Sequence, residues 1–183
     1  MREVELKSVV DDLGLRRSIV EKAGGRLEFE GNLIDARYGD VEDWLMIADH
    51  VLRLRIYETK KGREGHLDWK GPTQYENGYK VREELSTSIG DPDVLAQMLE
   101  NLGYSVIMKI ERRIWQYSLH GATVRFEEYP RMDILVEVEG SEEAIEKAIT
   151  AIGLPRSAYT TDRLTDFVLR YESRTGTQAA LTF

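Results

Sequence analysis

Long segments of this chain alternate charged and apolar residues with a period of two. The first example is Glu3-Val4-Glu5-Leu6-Lys7. Successive side chains of a β-strand point to opposite faces, so the two glutamates and Lys7 share one face, and Val4 and Leu6 share the other. A helix would give a period near 3.6 instead. The pattern therefore predicts a half-buried β-strand.

Similar patterns predict an antiparallel sheet with a few helices. We predict strands over residues 2–8, 26–37, 43–58, 65–70, 78–86, 104–118, 122–129 and 132–139. Lys61-Gly62 and Asn77-Gly78 have the composition of tight hairpin turns. Helices are expected after Asp11-Asp12, after Asp91-Pro92, from Ser141 to Ala151, and over residues 160–171. The expected fold class is α+β, with the helices packed outside the sheet.

Composition limits the function classes. The chain has 183 residues, 42% of them hydrophobic, which suits one globular domain with its own core. A formal net charge of −8 argues against nonspecific attraction to nucleic acid or to an anionic membrane. The absence of cysteine excludes disulfides, thiolate metal ligands and a cysteine nucleophile. Neither a signal region nor a membrane-spanning stretch is visible, so we expect a soluble, cytoplasmic protein.

The charged face of the first strand recurs in five later strands. The pairs, each two residues apart, are Arg53 and Arg55, Asp68 and Lys70, Arg82 and Glu84, Arg125 and Glu127, and Glu137 and Glu139. A sheet with one face in water would explain any single strand. However, solvent faces normally mix serine, threonine, glutamine and lysine, whereas these positions are almost all glutamate or arginine. If the sheet closes into a barrel, the charges converge on a polar lumen.

Such a lumen suits a polyanion bound together with a metal ion. Hard oxygen ligands for magnesium or manganese stand at Glu3, Glu5, Glu137 and Glu139, with Glu127 as a fifth candidate. Clustered carboxylates repel one another, so a metal ion is their natural neutraliser. Donors for phosphoryl oxygens stand at Arg53, Arg55, Lys70 and Arg82. The set favours phosphoryl-transfer chemistry.

In their order along the chain, these segments resemble the CYTH superfamily, the triphosphate tunnel metalloenzymes that include class IV adenylate cyclases and thiamine triphosphatases. The matching segments are Glu3-Val4-Glu5-Leu6-Lys7 (an ExExK signature), Val51-Leu52-Arg53-Leu54-Arg55, Trp69-Lys70-Gly71-Pro72, Arg82-Glu83-Glu84 and Glu137-Val138-Glu139. The resemblance implies a closed eight-stranded antiparallel β-barrel that forms a tunnel. We expect one such domain over residues 1–171, followed by a mobile tail over residues 172–183.

The resemblance also implies residue roles. The metal-associated acids are Glu3, Glu5, Glu137 and Glu139, the substrate-binding residues are Lys7, Arg53, Arg55, Lys70, Arg82 and Arg112, and the catalytic lumen acids are Glu84 and Glu127. Arg112 follows from counting back from Trp115, whereas strand parity with Lys109 selects Arg113. Glu127 replaces the family's usual aspartate, and a Tyr-Pro-Arg-Met-Asp segment replaces its glycine-rich turn.

Three functions remain open on the sequence. A divalent-metal-dependent triphosphatase acting on an organic or inorganic triphosphate, such as ATP, thiamine triphosphate or polyphosphate, is favoured. The alternatives are a class IV-type adenylate cyclase, which converts ATP to cyclic AMP and pyrophosphate, and a noncatalytic binder of polyphosphate or nucleotide. The expected partner is a triphosphate small molecule, with neither nucleic acid nor membrane. The apolar outer faces would support a homodimer, although no motif specifies one.

Overall fold

A computed structural model of the protein describes residues 2–183. The strands are β1 (Arg2–Val9), β2 (Arg26–Gly39), β3 (Val51–Thr59), β4 (Gly62–Lys70), β5 (Gln74–Glu76), β6 (Tyr79–Ile89), β7 (Ser105–Leu119), β8 (Ala122–Glu128) and β9 (Leu135–Glu139). The helices are α1 (Leu13–Lys22), α2 (Trp44–Ile47), α3 (Pro92–Asn101), α4 (Glu142–Ile152) and α5 (Leu164–Thr175). Within residues 2–183, no helix has both the length and the apolar character needed to span a bilayer.

Eight of the nine strands close into an antiparallel barrel. Their order around the ring is β1-β9-β8-β7-β2-β3-β4-β6, and the pairing of β1 with β6 completes it. The short strand β5 lies outside the ring and pairs with β6. The predicted eight-stranded α+β barrel with helices outside is therefore confirmed, with β5 as an additional strand.

Two-residue turns set the register of the hairpins. Asn77 and Gly78 have φ angles of 52° and 82°, the left-handed conformations that a type I′ turn requires. His120 and Gly121 adopt φ angles of 52° and 83° between β7 and β8 in the same way. The turn predicted at Asn77-Gly78 is confirmed. The turn predicted at Lys61-Gly62 lies one residue earlier, because Gly62 already pairs within β4.

Helix starts follow from capping side chains. Asp12 accepts a hydrogen bond from the backbone of Leu15 at the start of α1, and Asp91 accepts bonds from Asp93 and Val94 at the start of α3. Each bond satisfies a backbone donor that lacks a partner within the first helical turn. The helices predicted after these aspartates are confirmed.

The main hydrophobic core lies between the barrel and the helices. The apolar faces of β1, β7, β8 and β9 pack against α4, whose Ile145, Ile149 and Ile152 are almost completely buried. Burial of each large aliphatic side chain stabilises the fold by about 1.5–3 kcal/mol. Because the apolar faces of these strands point outwards to the helices, their alternate, charged faces point into the lumen.

Helix α5 and the C-terminal segment lie at one end of the barrel. Phe167 of α5 is buried in a cluster with Ile110 and Tyr129, which also face the lumen. Beyond the helix, Ala180 pairs with Arg131. The domain limit expected at residue 171 falls within α5, which runs from 164 to 175 rather than from 160 to 171. The mobility expected of residues 172–183 stays a prediction.

The strand predicted over residues 43–58 is wrong at its start. Residues 44–47 form the short helix α2, and β3 begins only at Val51. The Asp40 carboxylate accepts hydrogen bonds from the backbone of Trp44 and Leu45, which bends the chain into a helical turn. The run Trp44-Leu45-Met46-Ile47 is continuously apolar, and periodicity alone does not distinguish a short apolar strand segment from a helical turn.

We expect replacement of Ile145 by alanine to lower the free energy of unfolding by about 2–5 kcal/mol, because the side chain is 0% exposed and its removal leaves a cavity. Ile107→Ala is the control, since Ile107 is 60% exposed, and it should change the free energy of unfolding by less than about 1 kcal/mol. Urea unfolding followed by circular dichroism measures both. Equal losses would contradict the placement of the core against α4.

Candidate active site in the barrel lumen

The lumen is a charged cavity of about 800 Å³. This volume lies in the range of small-molecule binding sites. Its wall contains nine acidic and ten basic side chains, so the two signs nearly balance. Acids and bases are not mixed evenly around the ring, however. They separate into two walls that have different chemistry.

The first wall, which we call the glutamate wall, is formed by the neighbouring strands β1 and β9. It consists of Glu3, Glu5, Glu137 and Glu139. Lysines bridge these acids. Lys7 Nζ lies 2.8 Å from Glu5 and 2.7 Å from Glu137, and Lys80 Nζ lies 2.6 Å from Glu5. Arg125 of β8 adds a second cation at Glu137, at 2.8 Å.

The carboxylates of this wall fall into two electrostatic classes. Burial opposes the ionisation of Glu5, but Lys7 and Lys80 outweigh it and lower the pKa of Glu5 to about 2. Glu137 is likewise buried, and Lys7 and Arg125 hold its pKa well below the ordinary value. In contrast, burial raises the pKa of Glu139 to about 7, and burial together with Glu5 raises the pKa of Glu3. At Glu3, burial and Glu5 outweigh the nearby Lys70, and at Glu139, burial outweighs Arg125.

This donor set suits a hard divalent cation. Four carboxylates from two adjacent strands are oxygen ligands of the kind that magnesium and manganese prefer. The pKa values of Glu3 and Glu139 are raised first by burial and then by neighbouring carboxylates, and a bound cation would favour the ionised form of both side chains. Within residues 2–183, no three acidic or histidine side chains are already grouped to hold a metal ion. Binding of a metal ion would therefore require the lysine-bound carboxylates to change partners.

The second wall, which we call the arginine wall, is formed by β2, β3 and β7. Asp35, only 1% exposed, lies at its centre. Arg55 donates from Nε to Asp35 at 2.8 Å, and Arg112 donates from Nη2 at 3.0 Å. Arg53 Nη1 lies 3.6 Å from the same carboxylate. These three guanidinium groups outweigh the effect of burial and hold the pKa of Asp35 well below its ordinary value.

Two further carboxylates hold individual arginines of this wall. Asp68 of β4 accepts two hydrogen bonds from Arg53, at 2.6 and 3.1 Å. Glu127 of β8 accepts one from Arg112 Nε at 2.9 Å and one from the Tyr129 hydroxyl at 2.6 Å. The arginines are thereby fixed in position before any ligand enters, which lowers the entropy lost on binding.

All twelve residues that received roles from the sequence lie on the lumen wall. They are Glu3, Glu5, Lys7, Arg53, Arg55, Lys70, Arg82, Glu84, Arg112, Glu127, Glu137 and Glu139. Arg112 is 5% exposed and faces the cavity, whereas Arg113 pairs with Glu30 on the outer surface. Arg82 differs from the other arginines, because its guanidinium donates to the backbone carbonyls of Gly71 and Asp49 and so fastens two loops. The binding and catalytic roles stay predictions.

Sequence reasoning missed several lumen residues. Asp35 and Arg37 on β2 and Lys80 on β6 all face the cavity. The sequence pattern could have identified them. On β2, Ile34, Ala36 and Tyr38 alternate with Asp35 and Arg37, and on β6, Lys80 lies on the same face as Arg82 and Glu84. His66 also lines the cavity and forms an edge-to-face contact with Tyr57, with ring centroids 5.7 Å apart.

The two ends of the lumen differ in polarity. At one end, the cavity is lined by Tyr57, His66 and Ser86. At the other end, α5 contributes Leu164, Val168 and Leu169 to its wall. Arg163, at the start of α5, donates hydrogen bonds to Asp49 and Thr73 at this second end. Each end therefore offers side chains that can contact an organic group attached to a phosphate chain.

Solved structures with similar folds cover nearly the whole chain. The PH1819 protein from Pyrococcus horikoshii OT3 is 22% identical, with a TM-score of 0.75 over 92% of this chain and 98% of that one. A Vibrio parahaemolyticus protein provisionally assigned as an adenylate cyclase is 20% identical, with a TM-score of 0.76 over 91% and 97%. A Hippeastrum protein, assigned provisionally as an adenylyl cyclase and described as having a dominant triphosphatase activity, is 14% identical, with a TM-score of 0.61 over 98% of both chains.

A family model described as the CYTH domain matches residues 1–156. This match covers the barrel strands and α4, and it stops before α5. No functionally curated protein matches the chain. These three structural similarities, each below 25% identity, support the fold, whereas the family model identifies the sequence relationship.

We expect Asp35→Asn to destabilise the protein by about 3–5 kcal/mol, because three buried guanidinium groups would lose the carboxylate that they share. Thermal unfolding measures the change. Glu143→Gln, which breaks the exposed ion pair with Lys147, is the control and should leave the midpoint unchanged. A midpoint for Asp35→Asn equal to that of the unmodified protein would show that Asp35 does not hold the arginine wall together.

Proposed function

The chain belongs to the CYTH domain family, and on that premise we propose that it is a divalent-metal-dependent triphosphatase acting on an organic or inorganic triphosphate bound in the barrel lumen. Members of this family process triphosphates and in general depend on metal ions. The proposal for this chain rests on the distribution of charge across its lumen.

The observation that carries the proposal is the opposition of the two walls. In the closed ring of eight strands, β1 lies four strands from β2, and β9 lies four strands from β3. The glutamate wall and the arginine wall therefore face each other across the cavity. A phosphate chain between them would meet guanidinium donors on one side and metal-binding carboxylates on the other, which is the arrangement that phosphoryl transfer requires.

Within this proposal, the arginines bind the phosphate chain. The guanidinium groups of Arg53 and Arg55 are planar donors that match two phosphoryl oxygens at once. Lys70 extends the cationic surface towards the opposite wall, because its Nζ lies 2.5 Å from Glu3 and 3.3 Å from Glu84. Lys7 is placed similarly between Glu5 and Glu137. Arg82 and Arg112 complete the proposed contacts.

Glu3, Glu5, Glu137 and Glu139 would hold magnesium or manganese. When bound, the metal ion would neutralise charge on the phosphoryl oxygens and on the leaving diphosphate. Lys7 and Lys80, which neutralise Glu5 and Glu137 in the structure, would then be released to bind phosphoryl oxygens.

Glu84 is the residue that we propose to orient the attacking water. It lies on the lumen wall, 3.5 Å from Arg53 Nη2 and therefore next to the place proposed for the phosphate chain. The water oxygen attacks the terminal phosphorus, the bond from that phosphorus to the bridging oxygen breaks, and Glu84 accepts a proton from the water. Glu127, the other candidate, already accepts hydrogen bonds from Arg112 and Tyr129, so it is better suited to positioning Arg112.

Adenylate cyclase activity is the second candidate, and the wall at each end of the lumen favours it. Conversion of ATP to cyclic AMP requires a pocket for the base and ribose in addition to a binding site for the triphosphate. Tyr57 and His66 at one end, or Leu164 and Val168 at the other, would supply apolar and aromatic contacts for such a group. A noncatalytic binder is disfavoured, because anion binding alone does not need a wall of four carboxylates.

Incubation of the purified protein with ATP, thiamine triphosphate or inorganic tripolyphosphate, with magnesium or manganese, tests the proposal when products are separated by chromatography. We expect orthophosphate and the corresponding diphosphate. Formation of cyclic AMP and pyrophosphate from ATP would establish the cyclase instead. If the protein bound triphosphate tightly but formed no product at any metal concentration, the noncatalytic binder would be the remaining hypothesis.

We expect Glu137→Gln to lower metal-dependent turnover by at least about 100-fold while the protein remains folded, because glutamine keeps the size of the side chain but lacks its negative charge. Initial rates across a magnesium titration measure the loss, and circular dichroism checks the fold. Glu83→Gln is the matched control, since Glu83 is exposed on β6 and faces away from the lumen. Full magnesium-dependent turnover of Glu137→Gln would remove Glu137 from the proposed metal site.

A further inference from the structure

Arg37 differs from the other arginines of the lumen in its contacts. It lies on β2 two residues from Asp35, opposite Met108 of β7, and it lines the cavity. Its Nε atom is buried and has no hydrogen-bond partner. Among residues 2–183, Arg37 forms no salt bridge, whereas Arg53, Arg55 and Arg112 each have at least one carboxylate partner.

Arg112 contributes a second donor without a partner. Its Nε and Nη2 atoms bind Glu127 and Asp35, but its buried Nη1 atom has no hydrogen-bond partner. Arg112 also lines the cavity, and its positive charge lies close enough to affect Arg37. Buried donors are almost always satisfied in folded proteins, so two of them in neighbouring guanidinium groups require an explanation.

The electrostatic surroundings of Arg37 are unfavourable for a cation. Burial, followed by the charges of Arg53 and Arg112, lowers the pKa of Arg37 to about 10. The nearest carboxylate along the strand, Asp35, is already shared by Arg53, Arg55 and Arg112. A buried cation without its own counterion destabilises a fold. An anion brought by a ligand would reverse that effect.

We propose that Arg37 and Arg112 form an anion subsite at the α5 end of the lumen, which binds a phosphoryl oxygen of the ligand. This inference rests on the proposed function, because it takes the ligand to be a phosphate chain. It adds Arg37, which the sequence analysis did not identify, to the contacts of that chain. The free donors are Arg37 Nε and Arg112 Nη1.

The walls around this subsite favour strong binding. On β7, Met108 lies opposite Arg37 and Ile110 lies opposite Asp35. Both β7 residues pack in the same apolar cluster as Leu164 and Val168 of α5. These side chains restrict water around the guanidinium groups, and a charge-assisted hydrogen bond is stronger where water is excluded. A phosphoryl group also offers several acceptor oxygens, so one group would satisfy both free donors.

Calorimetric titration with inorganic tripolyphosphate in the absence of divalent metal tests the subsite directly. Arg37→Met keeps most of the apolar stem and removes the guanidinium. We expect it to weaken tripolyphosphate binding by about 10- to 100-fold, the usual effect of losing a charge-assisted hydrogen bond. Arg26→Met is the matched control on the same strand, because Arg26 is exposed and pairs with the nearby Glu28. Its affinity should stay within about 2-fold of the unmodified protein.

Thermal unfolding without ligand separates a binding role from a structural role. If the role of Arg37 is to bind the ligand, Arg37→Met removes a buried cation that Arg53 and Arg112 repel. The midpoint of thermal unfolding should then stay the same or rise. A lower midpoint together with unchanged tripolyphosphate affinity would overturn the subsite and make Arg37 a structural residue. Absence of measurable tripolyphosphate binding to the unmodified protein would also overturn it.

The calorimetric experiment does not depend on catalysis. If the unmodified protein binds tripolyphosphate and Arg37→Met weakens that binding, the subsite stands even when no triphosphate is hydrolysed. In that case only the proposed triphosphatase function fails.

Discussion

Pairing of buried charges is the constraint on which the rest of this structure depends. A closed barrel with a charged interior removes many carboxylates and guanidinium groups from water, and each isolated charge would cost several kcal/mol. The barrel meets this constraint by placing opposite charges next to each other. Lys7, for example, pairs with Glu5 on its own strand and with Glu137 on the neighbouring strand β9. The apolar faces of the same strands then form a core against the outer helices, and this core supplies the stability that the lumen lacks.

The faces of the strands could be predicted from the sequence, because they follow from a period of two. Alternation alone placed Glu3 and Glu5 on one face of β1 and Val4 on the other. In the barrel, the face with the two glutamates points into the lumen. The choice of glutamate and arginine over uncharged polar residues indicated a lumen rather than a solvent face. The order of the charged segments indicated the family, which the domain match confirms.

Partner choice could not be predicted in the same way. Asp35 binds Arg55 on one adjacent strand and Arg112 on the other adjacent strand, and these contacts depend on a register that only the folded barrel defines. Arg112 and Arg113 illustrate the limit. Lys109 and Arg113 do share one face of β7, but the side chain of Lys109 is 53% exposed and pairs with Glu111, so that face is the outer one and Arg112 faces the cavity. The short helix α2 was missed because the Asp40 carboxylate stabilises it through local hydrogen bonds, which a hydrophobic period does not reveal.

The near balance of charge in the lumen affects how a phosphate chain would bind. A bound triphosphate would leave the cavity with excess negative charge, since acids and bases almost cancel before it enters. In the proposed function, a divalent cation at the glutamate wall restores the balance, so the metal ion and the triphosphate each strengthen the binding of the other, and this coupling is reciprocal. At the arginine wall, Asp35 and Asp68 already occupy most guanidinium donors and compete with the ligand. A single phosphate group gains too few contacts to overcome that competition, whereas a chain that engages several arginines at once does. The same aspartates that make the empty lumen stable would therefore select for chains over single phosphates.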